Sequence, residues 1–87
     1  MRSFLVETYV PRSGRGDAAA LGSRARSAAE ELVRAGLSIH YVRTTFLPDD
    51  ETCFHLVEAD SRDTVSELCR RAGIGHARIT RAVDEPS

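Results

Sequence analysis

The stretch FHLVEAD at residues 54–60 decides the fold, because a helical pattern, a glycine and a second β-rich run follow it. Its composition, rich in aromatic and aliphatic residues, is typical of a strand. Asp60 is predicted to cap the following helix and Gly73 to end it. A last strand is predicted over residues 77–83, before a polar tail at 84–87. The inner stripe of the helix is predicted to comprise Val65, Leu68, Cys69 and Ala72.

The first half of the chain follows the same order. Residues 3–10 are rich in β-branched and aromatic side chains, and Pro11 with the glycines after it ends this strand. Asp17 is predicted to cap a helix that ends at Gly36. The apolar stripe of this helix recurs at helical spacing and comprises Leu21, Ala25, Ala28 and Leu32.

A β-hairpin is predicted between the two halves. Residues 37–47 and the run after the turn cluster at 48–51 are both β-rich. With the turn tip at Asp49 and Asp50, Thr44 lies opposite His55, and Tyr41 lies opposite Glu58. Strict alternation predicts one face with His40, Val42, Thr44, Phe46, Cys53, His55 and Val57, and another with Ile39, Tyr41, Arg43, Thr45, Phe54, Leu56 and Glu58.

The elements follow the order βαββαβ, which predicts an α+β, ferredoxin-like fold with a four-stranded antiparallel sheet and both helices on one face. Eighty-seven residues fit a single domain over residues 1–87 with a thin core. Neither hairpin face is cleanly polar. The helices can cover one face, whereas the other leaves a partly apolar patch for a second subunit or a ligand.

Composition excludes several classes of function. The 12 basic and 13 acidic residues nearly cancel, so no net field recruits nucleic acid or an anionic membrane. Every basic residue is arginine, which excludes Schiff-base chemistry on a lysine. The apolar run at residues 4–6 ends at Glu7, too early for a signal or membrane segment, so a cytoplasmic location is expected. Cys53 and Cys69 are expected to be free thiols.

Three hairpin residues are candidates for acid–base catalysis. The imidazole of His55 titrates near neutral pH, and beside Thr44 it could support enolisation or ring closure of a keto substrate. Tyr41 is a candidate acid in the same reaction. In the alternative interpretation, His55 is a half-buried residue that is hydrogen-bonded to Thr44 and has no catalytic role.

Glu7, Arg43 and Glu58 are candidates for ligand binding, together with Tyr41. Carboxylates and a guanidinium on one sheet face can orient a polar ligand. In the alternative interpretation, Arg43 and Glu58 pair across a dimer interface.

Several motifs resemble a known family. FLVE at residues 4–7 before Pro11, FHLVEAD at 54–60, and RAGI at 71–74 before Arg78 and Ile79 are similar to a family of small ferredoxin-like bacterial proteins typified by a nickel-binding protein. The resemblance implies a homodimer whose two sheets pack face to face. It also places the chain in the dimeric α/β-barrel group, which includes small isomerases, cofactor-free monooxygenases and polyketide-tailoring proteins.

Nickel accepts imidazole and thiolate ligands, so the resemblance implies a metal site drawn from His55, His76 and Cys69. The histidines of the nickel-binding type correspond here to Thr8, Cys69 and Ile74. The three histidines of this chain form no local metal motif, so a metal site has to assemble in three dimensions or across a dimer. The cofactor stays open: nickel, another transition metal, or none.

Two functions from different classes follow. The first is a small dimeric ligand-binding protein whose ligand is a metal or a small organic molecule. The alternative is a cofactor-independent isomerase or cyclase that acts on a small ketone or polyketide-like substrate in secondary metabolism. An accessory dimer without chemistry of its own is a third interpretation. The expected partners are a second copy and a small ligand, with no nucleic acid and no membrane.

Overall fold

The computed structural model describes residues 1–83 and residue 85, and it confirms the βαββαβ order. The elements are β1 (Arg2–Tyr9), α1 (Arg15–Arg34), β2 (Ile39–Leu47), β3 (Thr52–Ala59), α2 (Arg62–Ala72) and β4 (Arg78–Ala82). Neighbouring strands are antiparallel, in the order β2-β3-β1-β4. Most of the tail predicted at 84–87 lies outside the described residues.

The core lies between the two helices and one sheet face, which we call the covered face. Alternate residues of β1 and β3 point into it, and both helices contribute large side chains, so the prediction that the helices share one face is confirmed. The fully buried side chains include Val6, Leu32, Cys53, His55, Val57, Val65 and Leu68. The predicted stripes of both helices are buried, except that Leu21 is half-buried.

The helix α1 begins earlier than predicted. It starts at Arg15 after Gly14, and no side chain caps it, so the prediction that Asp17 is the cap was wrong. The reason lies in the turn after β1, where the Gly14 amide donates a hydrogen bond to the Pro11 carbonyl at 2.7 Å. This turn leads the backbone directly into the helix, and Asp17 falls within the first helical turn.

The helix α2 is capped one residue later than predicted. Ser61 is the N-cap, and its hydroxyl accepts a hydrogen bond from the Thr64 amide at 3.3 Å. The predicted cap, Asp60, instead accepts a hydrogen bond from the Thr64 hydroxyl at 2.8 Å. Gly73 ends the helix in the left-handed conformation, at φ 71°, as predicted.

A β-bulge between Tyr41 and Arg43 changes the predicted division of β2 into faces. Thr44 lies opposite His55 as predicted, but Tyr41 lies opposite Val57 rather than Glu58. One extra residue reverses the alternation that follows it. The predicted faces of Ile39, His40 and Tyr41 were therefore wrong: Ile39 and Tyr41 belong to the covered face, and His40 belongs to the open face.

In the part of the chain that the structure describes, no helix has both the length and the apolar character needed to cross a membrane.

Candidate functional site

The three residues predicted for acid–base catalysis form one hydrogen-bonded chain on the covered face. His55 Nδ1 lies 2.7 Å from Thr44 Oγ1, which lies 2.5 Å from Tyr41 Oη. The bulge makes this chain possible, because it places Tyr41 on the same face as Thr44. We call these three residues the relay.

The relay runs from the core towards the surface. His55 is 0% exposed, whereas Thr44 and Tyr41 are half-buried. The predicted hydrogen bond to Thr44 is present, but His55 is more deeply buried than expected. Burial lowers the pKa of His55 below its ordinary value of 6.5, so the imidazole is neutral at pH 7. A substrate can therefore meet Tyr41 or Thr44, but it cannot touch the imidazole while the core stays closed.

The second nitrogen of His55 faces another buried group. Its Nε2 lies 3.9 Å from Cys53 Sγ. Burial raises the pKa of the Cys53 thiol, and the nearby Thr8 hydroxyl lowers it by a smaller amount, so the thiol stays protonated at neutral pH. Among the described residues, Thr8 Oγ1 is buried without a hydrogen-bond partner of standard geometry. Because both imidazole nitrogens have polar neighbours, either neutral tautomer can be accommodated.

Two residues of α1 enclose the relay, and sequence reasoning missed both. A Cβ atom on Gly22 would lie 2.6 Å from Thr44 Oγ1 and 3.3 Å from Tyr41 Oη, so the helix backbone packs directly against the relay. One turn further on, Arg26 Cζ lies 5.0 Å from the centroid of the Tyr41 ring. A lone glycine inside a helical pattern was the available signal for Gly22. No comparable signal separated Arg26 from the other arginines.

The three residues predicted for ligand binding lie on the other side of the sheet, which we call the open face. Glu7 is paired with Phe54, Arg43 with Leu56, and Glu58 with His40. The sheet brings the two carboxylates and the guanidinium to one surface but separates them from Tyr41. The apolar centre of the open face comprises Leu5, Phe54 and Leu56, all half-buried.

The three predicted metal ligands do not converge within one chain. His55 lies in the core, Cys69 is buried on α2, and His76 is exposed in the loop before β4. Among residues 1–83 and 85, no group of three His, Cys, Asp or Glu side chains could hold a metal ion. Burial also raises the pKa of the Cys69 thiol, which opposes the thiolate form that metals bind. These side chains therefore do not fit a nickel site in a single chain. Both cysteines are free, as predicted.

Comparison with known proteins identifies the fold alone. No family model matches the chain, and no curated protein matches it. A de novo designed protein with a ferredoxin fold, solved by NMR in solution, matches 99% of this chain and 88% of its own, at 20% sequence identity and a TM-score of 0.52. The likeness shows that the chain has a ferredoxin-like fold. None of these comparisons supports the resemblance to the nickel-binding family.

Proposed function

We propose that this protein is a homodimer that binds a small organic molecule between the open faces of its two sheets. One observation carries the proposal: the open face combines an apolar centre with charged side chains that have no ion-pair partner among the described residues. These charged side chains are Glu7, Arg43, Glu58 and Arg78. The resemblance to a dimeric family points to the same assembly.

The open face has the size that a second copy requires. Four strands spaced about 4.8 Å apart, three of eight or nine residues and one of five, make a surface of about 500 Å² at about 3.3 Å per residue. Two such faces amount to about 1,000 Å² before the relief of the side chains is counted, and stable interfaces begin at about 1,200 Å². Side-chain relief adds area, so face-to-face packing reaches the range of stable interfaces.

The charges of the open face are complementary to those of a second copy. Glu7 and Glu58 supply two carboxylates, and Arg43 and Arg78 supply two guanidinium groups. A two-fold axis presents the same surface on both sides of an interface, so each guanidinium can approach a carboxylate of the other copy. A partner whose charged groups all had the same sign would bring like charges against half of these groups.

The same composition indicates the kind of ligand. The apolar residues Leu5, Phe54 and Leu56 suit an apolar body, and the carboxylate of Glu58, whose cross-strand neighbours include no arginine, suits a cationic end. An organic ligand is favoured over a metal ion because His55, Cys69 and His76 do not gather into a site. The resemblance to a nickel-binding family therefore supports the assembly in this proposal and not the metal.

Light scattering during size-exclusion chromatography tests the dimer. At about 100 μM, the measured mass of the eluting protein is expected to be twice the chain mass of 9.5 kDa. Leu56→Asp places a carboxylate at the centre of each face and is expected to give monomers. Leu37→Asp, at an exposed position after α1, is the matched control and should remain dimeric. A monomeric starting protein, or a dimeric Leu56→Asp variant, contradicts the assembly.

Tyramine, an aromatic amine, is a suitable probe for the ligand site. Its NMR titration is expected to shift resonances of Leu5, Phe54 and Leu56, and Glu58→Gln should weaken binding, whereas Asp63→Asn on α2 should not. Shifts confined to other surfaces contradict the proposed site.

Calorimetry with Ni²⁺ tests the choice of an organic ligand. Saturable Ni²⁺ binding that is lost when His55, His76 and Cys69 are replaced would show that the ligand is a metal ion.

The relay favours a second candidate, a cofactor-independent isomerase or cyclase. When Nδ1 of the neutral imidazole carries the proton, His55 donates to Thr44 and Thr44 donates to Tyr41, so the Tyr41 hydroxyl is free to donate to a ketone oxygen. This hydrogen bond and the nearby Arg26 guanidinium can stabilise the enolate that forms when solvent takes a proton from the carbon beside the ketone. Tyr41 is then the residue that touches the substrate, and His55 acts through Thr44.

Proton exchange in a model ketone tests this candidate. The protein is expected to accelerate the exchange of the α-protons of cyclohexanone in D₂O, measured by NMR, and Tyr41→Phe is expected to abolish the acceleration. Tyr9→Phe, at a position 71% exposed, is the matched control. Equal rates for the two variants, or no acceleration above buffer, would remove the enzyme candidate.

A further inference from the structure

We propose a second binding site, for a small organic anion with an apolar body such as an aromatic carboxylate, in the groove between α1 and the edge strand β2. The groove lies on the side of the sheet that the helices cover. Of its lining residues, His40 and Arg43 belong to the open face, but Arg26 and Arg34 lie on α1, so the inference rests on side chains that the dimer and its ligand do not use.

The groove has the size and the apolar surface of a small-molecule site. Two adjoining cavities of about 510 and 460 Å³ share Arg26 and Tyr41, and ligand sites measure about 300 to 1,000 Å³. The apolar lining of the larger cavity comprises Ala29, Val33, Ile39 and the Tyr41 ring. Val33 is 52% exposed, so an apolar ligand in the groove would cover an aliphatic side chain that α1 leaves in water.

The charges of the groove select an anion. Arg26, Arg34 and Arg43 line it together with His40, against the single carboxylate of Glu30. None of these three arginines forms an ion pair with the described residues. The chain has a net charge of −1, so this group of guanidiniums creates a positive region on an otherwise balanced surface. A guanidinium binds a carboxylate through two parallel hydrogen bonds, which makes a carboxylate the favoured ligand group.

The wall between the two cavities is held in place before a ligand binds. The hydroxyl of Tyr41 is hydrogen-bonded within the relay, and Gly22 packs against it from α1. Arg26 lies over the ring of the same tyrosine. A wall that is already ordered lowers the entropic cost of binding, since fewer side chains lose freedom when the ligand arrives.

A pair of isosteric probes tests the site. In NMR titrations, benzoate is expected to produce saturable shifts at Ala29, Val33, Ile39 and Tyr41, and neutral benzamide is expected to bind at least about tenfold more weakly. Arg26→Gln is expected to weaken benzoate binding about tenfold, which corresponds to about 1.4 kcal/mol. Arg15→Gln is the matched control, because Arg15 lies on the same helix outside both cavities.

Three results would overturn the proposal: equal affinities for benzoate and benzamide, equal effects of Arg26→Gln and Arg15→Gln, or benzoate shifts centred on Leu5 and Phe54. Both arginines are exposed, and the spectra of the free variants verify that each is folded. Leu5→Asp separates this proposal from the dimer, because Leu5 lies at the centre of the open face opposite Leu56 and Thr80, away from the groove. That variant is expected to keep benzoate binding, and a loss of binding in it would show that the anion belongs to the open-face site.

Discussion

The covered and open faces of the sheet differ in how their polar residues are paired. On the covered face, His55, Thr44 and Tyr41 satisfy one another by hydrogen bonds inside the protein. On the open face, the carboxylates and guanidiniums have no ion-pair partner among the described residues. A buried polar group without a partner lowers stability, whereas an exposed one is hydrated and remains available to a ligand or a second copy. Replacing a polar residue on the covered face should therefore lower the free energy of unfolding more than replacing one on the open face.

The largest expected effect is at the inner end of the relay. His55→Ala should lower the free energy of unfolding by about 3 kcal/mol, because it leaves a cavity and removes the partner of Thr44. Glu58→Ala, on the open face of the same strand, should change it by less than about 0.5 kcal/mol. Urea denaturation measures both. Similar losses for the two variants would show that the faces do not differ in this way.

A helix glycine provides the next test. Gly22→Ala should destabilise the protein by about 2 kcal/mol, because its Cβ would lie 2.6 Å from Thr44 Oγ1. Gly16→Ala in the same helix has no atom within 4 Å of its Cβ and should stabilise the protein by up to about 1 kcal/mol. If thermal denaturation shows that both variants change stability in the same direction, close packing does not explain why residue 22 is a glycine.

Adjacent threonines on β2 compare the two faces most directly. Thr44→Val keeps the shape of the side chain but leaves Tyr41 Oη and His55 Nδ1 without their shared partner, so a loss of about 1.5 kcal/mol is expected. Thr45→Val, one residue along on the open face, should be nearly neutral. An equal loss in urea denaturation for both variants would exclude an energetic role for the relay.

The smallest expected effect is the dependence of stability on pH. The folded-state pKa of His55 is lowered by burial, so below about pH 6.5 the unfolded chain binds a proton that the folded chain does not. Stability should fall as the pH falls from 6.5 to 5.5, by no more than about 1.4 kcal/mol per pH unit from this residue. His55→Gln should flatten the profile, and His40→Gln, which is exposed, should not. An unchanged slope in His55→Gln would contradict the assignment.

Much of the architecture was predictable because its signals are local. The β-rich run at residues 54–60 and the stop at Gly73 predicted a strand and a helix end that the structure confirms. The caps were less predictable, because Asp60 and Ser61 are neighbouring residues that can both accept the hydrogen bond of a helix amide. The outcome there depends on the backbone at the end of β3, where Ser61 is extended at φ −155°.

The candidate sites were predictable only in part. The sequence placed Thr44 opposite His55 because the register follows from the hairpin turn, and the structure agrees. It placed Tyr41 on the wrong face because an extra residue in a strand leaves no mark on composition. Arg26 was not separable from the other arginines, since its position over Tyr41 depends on how α1 lies across β2.

The sequence by itself determined the order of the elements, the ferredoxin-like fold and the pairing of Thr44 with His55, because periodicity and turn chemistry act over a few neighbouring residues. The tertiary structure alone decided that Tyr41 completes the relay and that a groove lined by arginines lies beside it. These features depend on a bulge in β2 and on the close approach of α1 at Gly22. The first is set by how β2 pairs with β3 and the second by how α1 packs on the sheet, and local patterns encode neither.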